Sequence, residues 1–96
     1  MKLAKLKVFS VFDSKLQVWM NPMVMQHTGQ AERMWMEIVN DGQSLPSKHP
    51  SDFALYQVGE FDDNSGMLTA LAAPTQVMTG TSAKKLPEGV LPLERS

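Results

Sequence analysis

Residues 47–66 have the sequence SKHPSDFALYQVGEFDDNSG, which predicts a loop, a strand and a tight turn in that order. The strand is expected over residues 53–61, because aromatic and aliphatic residues recur there with strand periodicity. The turn follows at 62–66, where Asp, Asn, Ser and Gly accept turn dihedral angles. A return strand over 67–72 completes a predicted β-hairpin. Gly59 interrupts the first of these strands and indicates a β-bulge.

A further strand is predicted near the start of the chain, over residues 3–12, from the same alternation of apolar and other residues. It ends in the step Phe12-Asp13, which repeats the step Phe61-Asp62 at the end of the hairpin's first strand. We therefore expect two strands that end in a similar way and belong to one sheet.

Between these strands the sequence predicts an uncertain β segment and one secure helix. Residues 16–26 are apolar but are broken by Asn21-Pro22, so they form an edge strand, a bulged strand or two short pieces. The helix is expected from Thr28 or Gly29 to about Asp41, before Gly42. Its apolar stripe follows the i, i+3, i+4, i+7 rule and consists of Ala31, Met34, Trp35, Ile38 and Val39.

The resulting order of elements predicts an α+β domain over residues 1–73. We expect a three- to four-stranded, mostly antiparallel sheet with one amphipathic helix packed on one face. Residues 74–96 contain scattered Pro, Gly and charges without periodicity, and they are predicted to be a flexible, disordered tail. One helix cannot cover both faces of a sheet, so the second face needs the tail, a second subunit in a homodimer, or a binding partner.

Composition excludes several classes of protein. The chain has 96 residues, a formal net charge of −1 and no cysteine. Disulfides, thiolate catalysis and cysteine-bound zinc are therefore excluded, and a reducing cytoplasm suits the chain. Membrane association is not expected either, because no apolar run is long enough for a transmembrane helix or the core of a signal peptide. The eight methionines predict either an irregular core or an adaptable interface.

The sequence carries no pattern typical of a catalytic, metal or cofactor site. His27 and His49 have no neighbouring nucleophile, and two histidines without cysteine make a transition-metal site unexpected. The acids at 60, 62 and 63 do not follow the spacing of a calcium loop and are interpreted as a solvated hairpin tip. Glycine-rich phosphate loops and nucleophile elbows are absent from the sequence. An enzyme is therefore not expected.

One group of residues suggests nucleic-acid binding. Lys5, Lys7 and Phe9 alternate along one face of the first strand, and Lys15 is close in sequence. Basic groups beside an aromatic ring are typical of proteins that bind single strands, through phosphate neutralisation and base stacking. The alternative is a solvated strand face whose aromatic residue contacts the tail or another subunit.

Two motifs in a fixed order point to a known family. The first is KLKVFSVFDSK at residues 5–15, and the second joins SKHP at 47–50 with GEFDD at 59–63. Together they resemble the small nonstructural protein of gokushovirus-type microviruses, which are bacteriophages with single-stranded DNA. The resemblance covers roughly residues 1–72. The residues that carry it most clearly are Phe12, Asp13, His49, Pro50, Gly59, Phe61, Asp62 and Gly66.

The resemblance implies a nonstructural accessory protein, made in the host bacterial cytoplasm and linked to phage DNA synthesis or packaging. It implies no catalytic residue and no cofactor. Two functions stay open. The chain either contacts single-stranded DNA through Lys5, Lys7, Phe9 and Lys15, or it is a protein-interaction module, such as a dimeric scaffold or adaptor. In the second case it would dock on the phage replication initiator or procapsid proteins through the uncovered sheet face.

Overall fold

The predicted α+β class is confirmed by the fold, an antiparallel five-stranded sheet with its main helix on one face. The structure is a computed structural model that describes residues 5–84. A single 3-10 turn, Pro50–Asp52, precedes the fourth strand. The other elements are β1 (Lys5–Asp13), β2 (Val18–Trp19), β3 (Met23–Met25), α1 (Thr28–Val39), α2 (Leu45–Lys48), β4 (Phe53–Asp62), β5 (Leu68–Thr79) and α3 (Gly80–Ala83).

The sheet is built around β1, which pairs with β4 along its whole length, while β4 pairs in turn with β5. On its other side β1 pairs with β2 near Phe12 and with β3 near Val8. These two short strands share one edge position of the sheet. Asn21-Pro22 lies between them, and proline has no N–H to give to a ladder. The uncertain segment of the sequence is therefore two short edge strands.

The bulge predicted at Gly59 is present. Val8 pairs with Gly59 and Phe9 pairs with Gln57, so Val58 is an extra residue in β4. A Cβ atom at Gly59 would lie 2.6 Å from the carbonyl oxygen of Thr69 on β5. Glycine is required here because only a residue without a side chain lets the two strands of the hairpin approach this closely.

The core lies between α1 and the sheet. Trp35 is 1 % exposed, and its indole N–H donates to the carbonyl oxygen of Thr79 at 3.4 Å. Met34 and Ile38 pack partly buried against this core, so the predicted apolar stripe of the helix is confirmed. Several methionines of β3 and α1 also pack there, whereas Met20 is exposed. The buried core residues are Phe9, Val11, Ala31, Trp35, Val39, Phe53, Leu55 and Ala83.

The predicted domain boundary after residue 73 is too early. β5 continues to Thr79, and α3 places Ala83 in the core at 3 % exposed. Pro74 was expected to end the strand, but β5 continues through it. A proline is tolerated there because β5 is an edge strand, where a missing N–H need not break the sheet. The rest of the predicted tail, residues 85–96, lies outside the described residues, as do residues 1–4.

The two Phe-Asp steps end their strands with the same turn, as the repeat predicts. In each turn the aspartate side chain accepts the backbone N–H groups of the second and third residues after it. The distances are 2.9 and 3.2 Å at Asp13, and 2.9 and 3.3 Å at Asp62. The carbonyl of each aspartate also accepts the N–H of the fourth residue at 2.7 Å. That fourth residue is left-handed in both turns, with φ 62° at Gln17 and 80° at Gly66.

Candidate binding face

The predicted nucleic-acid patch loses its aromatic member in the structure. Phe9 is 0 % exposed and belongs to the core, because α1 packs on the face of β1 that carries Phe9 and Val11. A side chain buried beneath a helix cannot stack on a base. The assignment of Phe9 as a nucleic-acid contact is therefore wrong.

The three lysines of that patch are not brought together. Lys5 Nζ lies 3.4 Å from Glu60 Oε1 on β4, and Lys7 is the direct cross-strand partner of the same glutamate. Lys15 follows the opposite end of β1, a strand of nine residues and therefore about 26 Å long. The three lysines therefore do not form one patch, because Lys15 lies at the other end of β1 from Lys5 and Lys7.

The signature residues have structural roles at the ends of elements. His49 is exposed; it ends α2 and precedes the turn that begins at Pro50. Phe61 is half-buried, pairs with Leu6 and Leu68, and lies outside the core cluster. Among residues 5–84 no three side chains are placed to hold a metal ion.

The two family motifs meet at one shallow surface cavity of about 360 Å³. Asp13 comes from the first motif and His49 from the second, and Leu16 and Leu45 add exposed apolar side chains. The Asp13 carboxylate is engaged in its own turn, where it accepts two backbone N–H groups. The cavity is therefore a junction between two turns, and Lys15 and Asp52 also line it.

A cluster of three aromatic rings lies on the side of the sheet opposite α1. Phe12 comes from β1, Trp19 from β2 and Tyr56 from β4. The ring centroids of Phe12 and Trp19 lie 4.7 Å apart, and those of Trp19 and Tyr56 lie 5.1 Å apart. We call this set the ring cluster and this side of the sheet the open face.

Register and hydrogen bonds position the ring cluster. Phe12 and Trp19 are direct partners across β1 and β2. The Ser10 hydroxyl donates to the carbonyl oxygen of Met20 at 2.8 Å, and the Met20 N–H donates to the carbonyl oxygen of Val11 at the same distance. These bonds fix the chain immediately after Trp19 onto β1.

The ring cluster is partly solvated and retains hydrogen-bonding capacity. Trp19 is 44 % exposed, while Phe12 and Tyr56 are half-buried. The Tyr56 hydroxyl oxygen accepts from the side-chain amide of Gln76 at 3.3 Å, so its own proton stays available. The Trp19 indole N–H has no acceptor among residues 5–84.

A groove of about 340 Å³ runs beside the ring cluster on the open face. Neither the ring cluster nor the described lining of the groove contains a charged side chain. The lining residues are Ser10, Trp19, Met20, Pro22, Val58 and Pro74.

Comparison with known families assigns the chain. Residues 6–83 match the family model described as Phage ORF5 protein. The chain belongs to this family of phage proteins. The match runs from β1 to the end of α3, so it includes the residues that the predicted boundary excluded. Comparison of the chain with curated proteins and with solved structures found no match.

The described part of the chain carries a surface suited to binding apolar groups. No helix within residues 5–84 is long and apolar enough to span a membrane. The open face combines exposed aromatic area with a free indole N–H and a tyrosine hydroxyl. Such a surface can bury apolar groups and orient them by one or two hydrogen bonds.

Proposed function

We propose that this protein is a non-enzymatic accessory protein of a gokushovirus-type phage, acting in the host cytoplasm during DNA synthesis or packaging. It acts by docking on phage proteins through the open face. The observation that carries the proposal is the ring cluster, a partly exposed and uncharged contact of Phe12, Trp19 and Tyr56 on the side of the sheet that α1 leaves uncovered.

The chemistry of the open face favours a protein partner. Trp and Tyr are the residue types that most often dominate the binding energy of protein interfaces. The centres of such interfaces are also depleted of charged residues. Both properties hold where Trp19 lines the groove, whose described lining carries no charge. Phe12 and Tyr56 line a neighbouring surface cavity that also includes Asp52.

Direct binding of single-stranded DNA at the same face is the second candidate. It is favoured by the placement of the rings on three strands of one sheet, since base–aromatic stacking contributes about 1–3 kcal/mol per base. Affinity for DNA, however, comes largely from lysines and arginines that neutralise phosphates. Of the lysines on and next to β1, Lys5 pairs with Glu60, and the described lining of the groove contains no lysine or arginine.

The two candidates are separated by titrating the full chain with labelled oligothymidylate and, in parallel, with the purified replication initiator and procapsid proteins of the phage. We expect binding to one of the proteins that Trp19→Ala abolishes and Lys5→Ala with Lys7→Ala leaves unchanged. DNA binding that weakens steeply as salt rises, without any protein binding, would overturn the proposal in favour of the second candidate.

A further inference from the structure

We infer that the cavity beside the ring cluster is an arginine-binding site, which receives a guanidinium group of the docked partner. The cavity has a volume of about 360 Å³, and Phe12, Tyr56 and Asp52 belong to its described lining. This inference rests on the proposed docking function and names one side chain that the partner presents there.

The first argument is the charge of the cavity. Asp52 is half-buried, and its carboxylate has no hydrogen bond or ion pair within residues 5–84. The described lining contains no lysine, arginine or histidine. A partly desolvated carboxylate without a counter-ion attracts a cation, whereas it repels a phosphate or a second carboxylate. The cavity is therefore complementary to a cation.

The second argument is the pair of rings that share the cavity with Asp52. Phe12 and Tyr56 are half-buried, and no described cation lies over either ring. Aromatic rings attract cations to their faces, and the planar guanidinium group also stacks on them. A guanidinium group can also form two parallel hydrogen bonds to one carboxylate, which the compact ammonium group of lysine does not. Arginine is therefore favoured over lysine.

The third argument is that the backbone of Asp52 is held in place within the chain itself. Its carbonyl oxygen accepts the N–H of Ser14 at 2.8 Å and the Ser14 hydroxyl at 2.9 Å. Its own N–H donates to the carbonyl oxygen of His49 at 3.0 Å. These bonds join the end of β1 to the 3-10 turn that carries Asp52. A residue that is already fixed loses little conformational entropy on binding.

The fourth argument is the supply of neutral acceptors and the size of the cavity. Ser51 and Thr81 are exposed and line the cavity, and their hydroxyl groups have no hydrogen bond within residues 5–84. A guanidinium group carries N–H donors on each of its nitrogen atoms, so those that face away from Asp52 need such acceptors. The volume lies near the lower end of the range for ligand pockets, roughly 300–1,000 Å³, and therefore suits one side chain.

The test is a titration of the isotopically labelled full chain with N-acetyl-arginine amide, followed by nuclear magnetic resonance. N-acetyl-citrulline amide is the control, because citrulline has nearly the same shape without the charge. We expect saturable shifts of the backbone N–H groups of Ser14 and Ala54, which line the cavity. Citrulline should bind more weakly by about 3-fold or more. This comparison uses the unchanged protein, so no folding defect affects it. Equal affinities for the two compounds would overturn the inference.

Two aspartate variants test the carboxylate. Asp52→Asn keeps the shape of the side chain and should weaken arginine binding by about 3-fold or more. Asp63→Asn removes the same charge at the exposed turn after β4 and should leave the affinity unchanged. Equal affinities of the two variants would overturn the inference.

Lys15 is the cation of this chain that shares a cavity with Asp52, on the side towards Leu45. It is exposed and forms no ion pair with Asp52. Lys15→Met should therefore bind arginine as tightly as the unchanged protein or more tightly. Loss of arginine binding in Lys15→Met would overturn the inference.

Two variants of Tyr56 separate its ring from its hydroxyl group. Tyr56→Phe keeps the ring, so the affinity for arginine should change by less than about 2-fold. Tyr56→Leu removes the ring and should weaken binding by about 3- to 5-fold. Equal losses in the two variants would overturn the stacking on which the choice of arginine depends.

Other results separate this inference from the docking function. Phage proteins that bind Asp52→Asn as tightly as the unchanged protein, but do not bind Trp19→Ala, would overturn the inference and leave the docking function standing. Arginine binding without binding of any phage protein would support the arginine site and overturn the docking function. Saturable shifts of Ser14 and Ala54 with a neutral disaccharide or with oligothymidylate, and none with arginine, would assign the cavity to carbohydrate or to DNA. Either result overturns the inference.

Discussion

The ring of Trp19 lies 4.7 Å from the ring of Phe12, and the two residues are direct partners across β1 and β2. This contact ties a strand of only two residues to the centre of the sheet. It also holds Trp19 in one place while leaving 44 % of it exposed. A fixed but solvated tryptophan is the arrangement expected of a binding residue, whereas the other tryptophan, Trp35, is buried beneath the sheet.

Replacing the two tryptophans separates binding from folding. We expect Trp19→Ala to lower the free energy of unfolding by about 1–2 kcal/mol, because it removes ring contacts at the surface. Trp35→Ala removes a buried core side chain and is expected to cost about 3–5 kcal/mol. Urea unfolding followed by circular dichroism measures both. A loss for Trp19→Ala as large as that for Trp35→Ala would mean that Trp19 is a core residue.

Two glycines provide a matched pair for the β-bulge. Gly59→Ala places a Cβ atom against the carbonyl oxygen of Thr69, so we expect it to lower the free energy of unfolding by at least about 2 kcal/mol. Gly29→Ala lies in α1 with no atom within 4 Å of the added Cβ. It should be neutral or stabilising by up to about 1 kcal/mol. Equal effects of the two substitutions in urea unfolding would contradict the bulge geometry.

The turn at Asp62 predicts a loss of stability in acid. The backbone N–H of Asn64, and then that of Ser65, lowers the pKa of the Asp62 carboxyl below its usual value of 3.8. The folded-state pKa is thus below the unfolded one, so the stabilisation is complete above the unfolded value and is lost as the pH falls through the folded value. Asp62→Asn keeps an acceptor without the charge, and its unfolding temperature should depend less on pH.

Asp63→Asn is the control for this titration. Asp63 is exposed, and its side chain has no hydrogen-bond partner among residues 5–84. Its unfolding temperature should follow that of the unchanged protein from about pH 6 to about pH 2. If the unfolding temperature became less dependent on pH in Asp63→Asn but not in Asp62→Asn, the Asp62 turn would be ruled out as the source of the pH dependence.

Lys84 tests whether the residues after 73 belong to the fold. Its Nζ donates to the carbonyl oxygen of Val39 at 3.2 Å and to that of Ser47 at 3.0 Å. It therefore satisfies a carbonyl at the end of α1 that has no partner within the helix. We expect Lys84→Met to lower the free energy of unfolding by about 1 kcal/mol, and Lys15→Met, at an exposed turn, to change it by less than about 0.5 kcal/mol. If urea unfolding gave the same free energy of unfolding for Lys84→Met as for the unchanged protein, this role of Lys84 would be refuted.

The elements that the sequence predicts well are those decided by neighbouring residues. The helix stripe around Trp35, the hairpin turn at 62–66 and the bulge beside Gly59 all depend on local spacing or on residues with special dihedral angles. The assignment of Phe9 was wrong because its burial depends on tertiary packing and not on neighbouring residues. Strand alternation separates Phe9 from Phe12, but both faces of β1 are apolar, and only the packing of α1 decides which of them is buried.

The ring cluster and the second half of β5 both depend on the pairing of strands that are distant in sequence. Phe12, Trp19 and Tyr56 come together only through the register of β2 and β4 on β1. One feature of the sequence could have indicated the position of Tyr56. In β4 it alternates with Phe53 and Leu55, which are buried, so its side chain belongs to the opposite face of the sheet. The extension of β5 beyond residue 72 was missed because its register with β4 shifts twice, which removes any simple alternation.

We propose the open face as the docking surface of this protein. The most direct test is the affinity of the full chain for the purified replication initiator and procapsid proteins, measured by titration calorimetry with Trp19→Ala and Leu45→Ala compared. We predict that Trp19→Ala weakens the complex by about 30-fold or more. Leu45→Ala, which removes an apolar side chain that is 55 % exposed on α2 and outside the sheet, should change it by less than about 2-fold. Equal affinities of the two variants would contradict it.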